Sequence, residues 1–409
     1  MRRTRQQEHT PRIGVSGKGA QHANLAIKLA TGPGLDPSGA HLLTGRILIT
    51  GGAGFIGCHV ARTLLARGYD VVVLDDLIEQ VHRGSAPALP KKAKLLRGDI
   101  RDRSLVRNAL TGVDGLIHLA AEVGVGQSMY AIERYVSVND CGTAILLEEL
   151  AGRRIKRIVV ASSMSIYGEG LYRTADGMLL ESVERIAGTG RPFDPVDSAG
   201  RALTPVPTPE TKRPTLASVY ALTKYVQERM TLVTAAAYGI EACALRLFNV
   251  FGAGQALSNP YTGVLAIFAS RLLNREPPLI FEDGNQRRDF VQVQDVADAF
   301  AAALESPDAA GGVFNIGSGR EYTIKEVAVR LAAAMGRPRQ TPEIIGKVRV
   351  GDIRHCFADI SLATAKLGYR PTRHLEDSLG ELTEWVKAQR SVDRVKDARR
   401  ELEQRGLIA

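Results

Sequence analysis

An α/β architecture, a doubly wound parallel sheet carrying a smaller C-terminal α/β lobe, is the fold class this 409-residue chain predicts. Three observations carry that expectation. An apolar strand, Arg46–Thr50, runs into closely spaced glycines and then into a helical pattern. Four more strand candidates follow, Asp70–Leu74, Lys94–Arg97, Gly115–Leu119 and Arg157–Ala161, with helical patterns between several of them. The length is too great for one minimal domain and suits a main body plus a lobe.

The first element is the most specific. In Ile47-Leu-Ile-Thr-Gly-Gly-Ala-Gly-Phe-Ile-Gly-Cys58, Gly52, Gly54 and Gly57 satisfy G-x-G-x-x-G, while Gly51, Gly54 and Gly57 satisfy G-x-x-G-x-x-G. Such a turn lets the backbone approach a pyrophosphate at a helix N-terminus, here opened by Phe55, Ile56 and Gly57. This is a dinucleotide cradle of the Rossmann type. The second strand ends on Asp75, about 20 residues beyond the glycines, where a carboxylate holds ribose hydroxyls and repels a 2′-phosphate. No arginine stands directly beside Asp75, Arg83 being the nearest, so NAD is favoured over NADP. Asp99, followed by Ile100, closes the third strand where it can meet the adenine edge. Leu119, Ala120 and Ala121 close the fourth with small residues that give a cofactor backbone clearance. His118, just before them, reads as a packed strand-end histidine.

Composition narrows the class. The formal charge is +9, and six basic residues against two acidic ones precede the first strand, so the excess reads as surface arginine and a basic tail rather than a nucleic-acid face. Residues 1–44 show no sustained period and read as a flexible extension. Cys58, Cys141, Cys243 and Cys356 lie far apart without C-x-x-C, which argues for no metal and no disulfide framework and fits a reducing cytoplasm. No apolar run suits a membrane span, and no h-region suits a signal peptide. The expected NAD-binding body spans 45–250, with a Pro-, Gly- and Thr-rich insertion at 170–213. Residues 251–385 form mainly a substrate lobe with a return segment to the body. Val313–Gly317 is read as a strand of the lobe, Asp295 as a helix cap, and residues 386–409 as a charged C-terminal helix.

Tyr220-Ala-Leu-Thr-Lys224 sets a phenol and an ammonium at i and i+4, on one face of a helix. A lysine charge beside a tyrosine, with a positive nicotinamide, favours the phenolate and makes a general base. Ser162-Ser163-Met-Ser165-Ile-Tyr167-Gly168 ends the fifth strand, at the carboxyl edge where open α/β sheets bind ligands.

With Thr50-Gly-Gly-Ala-Gly-Phe-Ile-Gly57 and His118-Leu-Ala-Ala121, these segments resemble the extended short-chain dehydrogenase/reductase family, in its nucleotide-sugar epimerase/dehydratase branch, over about residues 45–385. The resemblance implies a Ser163, Tyr220 and Lys224 catalytic set, the latter two also touching NAD. It further implies Ser128, Ser163 and Ser165 at the substrate, Asn249 near the sugar diphosphate, Phe281 against the nucleotide base, Arg288 as a diphosphate clamp, and Arg349 with Asp352 at phosphate and ribose. Arginine suits phosphate because its fork donates two parallel hydrogen bonds.

Members of this branch begin by oxidising the sugar, usually at C4. Dehydratases then use acidic residues directly after the catalytic hydroxyl residue, where this chain has Met164 and Ser165. Epimerisation at C4 is therefore the expected reaction. Gly252-Ala-Gly-Gln-Ala-Leu-Ser-Asn-Pro-Tyr-Thr-Gly263 and Pro205-Val-Pro-Thr-Pro-Glu210 resemble the enzymes acting on dTDP-L-rhamnose, although residues 170–213 lack the C-x-x-C pair frequent there. UDP-hexose and UDP-uronate 4-epimerisation stay open. Decarboxylation, dehydration or ketoreduction come next, and an NAD-sensing protein last, because such sensors commonly lose the Tyr/Lys pair. The resemblance also implies a nucleotide-sugar partner and a homodimer joined through the Tyr220 helix.

Overall fold

A computed structural model describes residues 45–82, 88–183, 185, 193–261 and 263–408. The expected extension at 1–44, together with Arg83, lies outside the described residues.

Seven strands build one parallel sheet: β1 (Arg46–Thr50), β2 (Asp70–Asp75), β3 (Lys94–Arg97), β4 (Gly115–His118), β5 (Arg157–Ser163), β6 (Glu241–Leu247) and β7 (Val313–Ile316). Their spatial order is β3-β2-β1-β4-β5-β6-β7. The order reverses at β1, which places a crevice at the carboxyl ends of β1 and β4, the switch point where open α/β sheets take ligands. Alternation along β1 explains the two-sided burial. Ile47 and Ile49 face one way, into a core with Val71, Val73, Ile117, Val159 and Phe300. Leu48 faces the other, into a core with Val72, Leu116, Ile158 and Leu146.

The helices between strands close both faces. Helix α1 (Phe55–Ala66) turns Val60, Ala61 and Leu64 toward the first core, at the spacing its sequence shows. Helix α2 (Val219–Ala237) follows the insertion and runs beside β5 and β6. Helix α3 (Val293–Glu305) packs against α1. The strand at Val313–Ile316, expected in the lobe, is β7, paired with β6 from Val313↔Ala244 to Ile316↔Leu247. Apolar alternation identifies a strand but not the sheet it joins. Asp295 is likewise not the cap of α3. Gln292 accepts from the Gln294 N–H, and the Asp295 carboxylate instead pairs with Arg373 at 2.6 Å.

The lobe has a separate core, in which Phe251, Leu265, Phe268, Phe290, Leu331 and Leu379 meet. Residues 170–213 contain a small antiparallel sheet of Leu171–Arg173, Leu179–Leu180 and Thr204–Val206. Thr208 fastens it to the lobe, donating its N–H to the Phe357 carbonyl at 2.8 Å. The charged helix expected over 386–409 is narrower, α4 (Val395–Gln404), and it follows a break after the helix Leu375–Lys387, whose apolar face joins the lobe core.

Candidate active site

A cavity of about 650 Å³ opens along the carboxyl edge of the sheet, running from the glycine turn to the Tyr220 helix. At the glycine end, the backbone itself makes the floor. Gly51 has φ +68°, and a Cβ there would lie 2.7 Å from the Ala120 nitrogen. A Cβ at Gly57 would lie 2.4 Å from the Gly52 Cα, so α1 packs against the turn at glycine-only distance. Gly54 caps α1 without a side-chain hydrogen bond, which leaves the first N–H groups of Phe55 and Ile56 without a side-chain cap, as an anion-binding helix terminus requires. Asp75 at the end of β2 accepts from the Ala53 and Leu77 N–H groups, each at 2.9 Å. Leu77 adopts φ +56° next to it, a conformation that this double anchorage holds.

Asp99, Ile100, Leu119, Ala120 and Ala121 continue the lining. The Asp99 carboxylate is shared with Arg101, whose Nε lies 3.0 Å from both oxygens, and this lowers its pKa. His118 is buried beneath this wall, with Thr50 Oγ1 at 2.7 Å and Thr143 Oγ1 at 2.8 Å, and desolvation holds its pKa near 3, so it is neutral. Cradle, carboxylate and clearance fit NAD. Asn249 and Gln255 also line this cavity, and their amide oxygens, Asn249 Oδ1 and Gln255 Oε1, are buried without a hydrogen-bond partner among the described residues. An unpartnered buried acceptor costs about 1–3 kcal/mol unless a ligand satisfies it.

The far end gathers Ser163, Tyr220 and Lys224. Helix α2 begins at Val219 because Ser218 accepts from the Ala221 N–H at 3.1 Å, and Ser128 accepts from the Tyr220 N–H at 3.0 Å. Ser128, expected at the substrate, is thus fully buried and spent on the helix terminus. Ser165 is similarly turned inward, donating its hydroxyl to Ser163 Oγ at 2.9 Å, and it orients that hydroxyl.

The expected depression of the Tyr220 pKa is reversed in the protein itself. Burial pushes the phenol up, with only the Ser163 hydrogen bond opposing it. Lys224 is turned to Gln227, donating to Oε1 at 2.6 Å, and burial lowers its own pKa to about 7 despite Glu228 and Asp140. Spacing alone reported a shared helix face; the low dielectric around it penalises both charged forms.

The remaining expected substrate residues form a separate cluster on the lobe. Arg349 stacks over Phe281 at 4.5 Å and pairs with Asp352 at 2.9 Å. The Arg288 guanidinium is committed to the Arg287, Ile353 and Arg354 carbonyls, with Asp352 at 3.6 Å, so it buttresses this segment rather than offering a free fork. Several cavity residues were not anticipated as site residues, among them Glu122 paired to Arg134 at 2.7 Å, Phe248, Gln255, Asn259 and Tyr261. They lie on loops or strand ends, where no periodicity marks a side chain that faces a ligand.

Residues 47–317 match the model of the NAD dependent epimerase/dehydratase family. The chain belongs to that family. It is an enzyme of the family, and NAD is its cofactor. The chain is 38% identical over 358 residues to the dTDP-L-rhamnose 4-epimerase of Burkholderia thailandensis, a match covering 85% of this chain and 96% of that protein. Among solved structures it is similar to the Thermotoga maritima UDP-glucose 4-epimerase with UDP-glucose, at TM-score 0.68 and 31% identity, covering 83% of this chain and 98% of that one. The Bacillus cereus UDP-glucuronic acid 4-epimerase with UDP-glucuronic acid and NAD is similar at TM-score 0.68 and 28% identity, covering 84% and 99%.

Proposed function

We propose that this enzyme epimerises a nucleotide sugar at C4, and that the sugar is a dTDP-6-deoxyhexose of the dTDP-L-rhamnose type. The observation that carries the reaction is the end of the 650 Å³ cavity, where Ser163, Tyr220 and Lys224 meet beside non-acidic Met164 and Ser165. In this reading Tyr220 takes the proton of the 4-hydroxyl and Ser163 holds its oxygen. Lys224 supplies positive charge beneath the phenol. NAD, when bound, would supply a reversible hydride acceptor, consistent with a reaction of no net redox change. Asn249 and Gln255, with their open acceptors, hold ligand hydroxyls or amide groups. Phe281, Arg349 and Asp352 are assigned to the nucleotide, and Asp75 to the NAD ribose.

Proton transfer needs Tyr220 as phenolate, and burial works against that ionisation. The positive charge of nicotinamide opposes burial, which makes base strength dependent on a loaded site. Elimination lacks an acid where Met164 and Ser165 stand, and this favours epimerisation over dehydration. The dTDP-6-deoxyhexose rests on the 38% identity to the Burkholderia protein. A UDP-hexose or UDP-uronate is the second reading, supported by similarity to solved enzymes holding UDP-glucose and UDP-glucuronic acid.

The same reading includes a homodimer. Leu222 and Val233 on α2 and Ile132 and Val136 beside it are exposed, an apolar face on adjoining helical elements. A reducing, cytoplasmic setting agrees with four free thiols. The reaction is tested by incubating purified protein with dTDP- and UDP-hexoses without added cofactor, following C4 configuration and deuterium uptake at C5 by NMR. Epimer without deuterium and without NADH release is expected, fastest with dTDP-L-rhamnose. Deuterium at C5, loss of water or carbon dioxide, or a demand for added NAD(P)H would overturn 4-epimerisation.

A further inference from the structure

Past Lys387 the chain crosses back over the molecule. Asp393 takes the Arg271 guanidinium at 3.1 Å and Lys396 reaches Glu276 at 3.3 Å. Helix α4 then brings Glu401 to the hydroxyls of Tyr130 and Tyr261, at 3.0 and 3.2 Å, while those hydroxyls stand 2.7 Å apart. Arg405 lies over the Tyr130 ring at 4.2 Å, and Glu403 meets Lys347 at 3.2 Å. Beyond the helix, the Val350 N–H donates to the Leu407 carbonyl at 3.0 Å, and Ile408 bridges Arg349.

These contacts span both banks of the site. Val125, Gly126 and Met129 belong to the turn whose Ser128 holds the Tyr220 N–H. Arg349 and Asp352 belong to the lobe. Leu402 and Leu407 fill the space between them and leave about 20 Å³, room for about one water and not for a nucleobase. Arg349 is meanwhile spent on Asp352.

We infer that residues 395–408 are an autoinhibitory strap, seated at the nucleotide end of the site and displaced when a nucleoside diphosphate binds there. This rests on the assignment of Phe281, Arg349 and Asp352 to the nucleotide. The strap is held by exposed ion pairs, which are individually weak, by the Glu401 hydrogen bonds, the Arg405 ring contact and the backbone bond at Leu407, and by two leucines, so displacing it takes a ligand that makes many charge-assisted bonds. A ligand that binds only the open form has its affinity reduced by the open fraction.

The test uses dTDP and UDP as probes, titrated by calorimetry into the full chain and into a chain ending at Asp393. The shortened chain is expected to bind dTDP about tenfold more tightly, with unchanged NAD content, as for a strap closed nine-tenths of the time. In the full chain dTDP is expected to raise amide hydrogen exchange across 395–408. Should the shortened chain fail to fold, Leu402→Asp in the full chain is expected to give the same tightening. Equal or weaker binding by these variants, or protection of 395–408 by dTDP, would make the segment a roof of the site and overturn the strap. Tightening without turnover of any nucleotide sugar would uphold the strap and sink the 4-epimerase reading. Absence of nucleotide binding in every form would remove the nucleotide site and the strap with it.

Discussion

Tyr220 and Lys224 share a helix face and a buried chamber, and burial acts on them in opposite chemical senses. The phenol is held protonated and the ammonium is held close to neutrality. Tyr220→Phe removes the proposed base and little volume, so turnover should fall by about 10²- to 10⁴-fold while NAD stays bound. Unchanged turnover would remove Tyr220 from the reaction. Lys224 has a pH signature of its own. Its pKa falls from 10.5 in the unfolded chain to about 7 when folded. Between these values the unfolded chain binds a proton that the folded one does not, so stability rises with pH. The charge penalty is complete below pH 7 and gone above pH 10.5. Lys224→Met should therefore raise the melting temperature over wild type most below pH 7, with a gain that shrinks as pH climbs to 10.5. Melting curves of both proteins across that range decide it, and a pH-independent difference would mean that folding leaves the Lys224 pKa unshifted.

The glycine turn and α1 behave as one element, because their contact is backbone on backbone. A methyl at position 57 has 2.4 Å to the Gly52 Cα, where no flexible side chain can give way. Gly57→Ala should lower stability by about 1–3 kcal/mol and strip NAD from the purified protein. Retention of NAD at wild-type melting temperature would show that the turn relaxes freely. Helix α2 differs in how it is anchored, since a residue distant in sequence completes its first turn. The motif at Tyr220 was legible from spacing. The role of Ser128 was not, because hydrogen-bonding to the Tyr220 N–H requires a tertiary approach over 92 positions. The same applies to Asp295, where a tertiary arginine replaced the local cap that the pattern suggested.

For the whole molecule, the proposed dimer face is the readiest test of assembly. Leu222→Arg combined with Val233→Asp should convert a dimer to a monomer in sedimentation velocity. The protomer fold should be little changed, because exposed positions usually alter stability by about 0.5 kcal/mol or less. A dimer that survives both changes would place its interface elsewhere. The two cores, the antiparallel sheet within the insertion and the lobe are joined by groups far apart in sequence. Arg354 is fully buried and pairs with Glu282 at 2.8 Å, Asp283 at 2.6 Å and Asp194 at 2.6 Å, which ties the insertion to the lobe.

By itself the sequence determined the dinucleotide cradle, the parallel sheet, the NAD preference and the family. Those features are local: glycine spacing, strand alternation and an i,i+4 pair act within one or two turns of chain. Only the tertiary structure decided that Val313–Ile316 closes the main sheet, that Ser128 and Ser165 support the site from behind, and that Phe281, Arg349 and Asp352 stand apart from the main cavity under the C-terminal segment. Each depends on which groups meet across long separations and on how burial changes their charge. Neither quantity is encoded in the spacing of neighbouring residues.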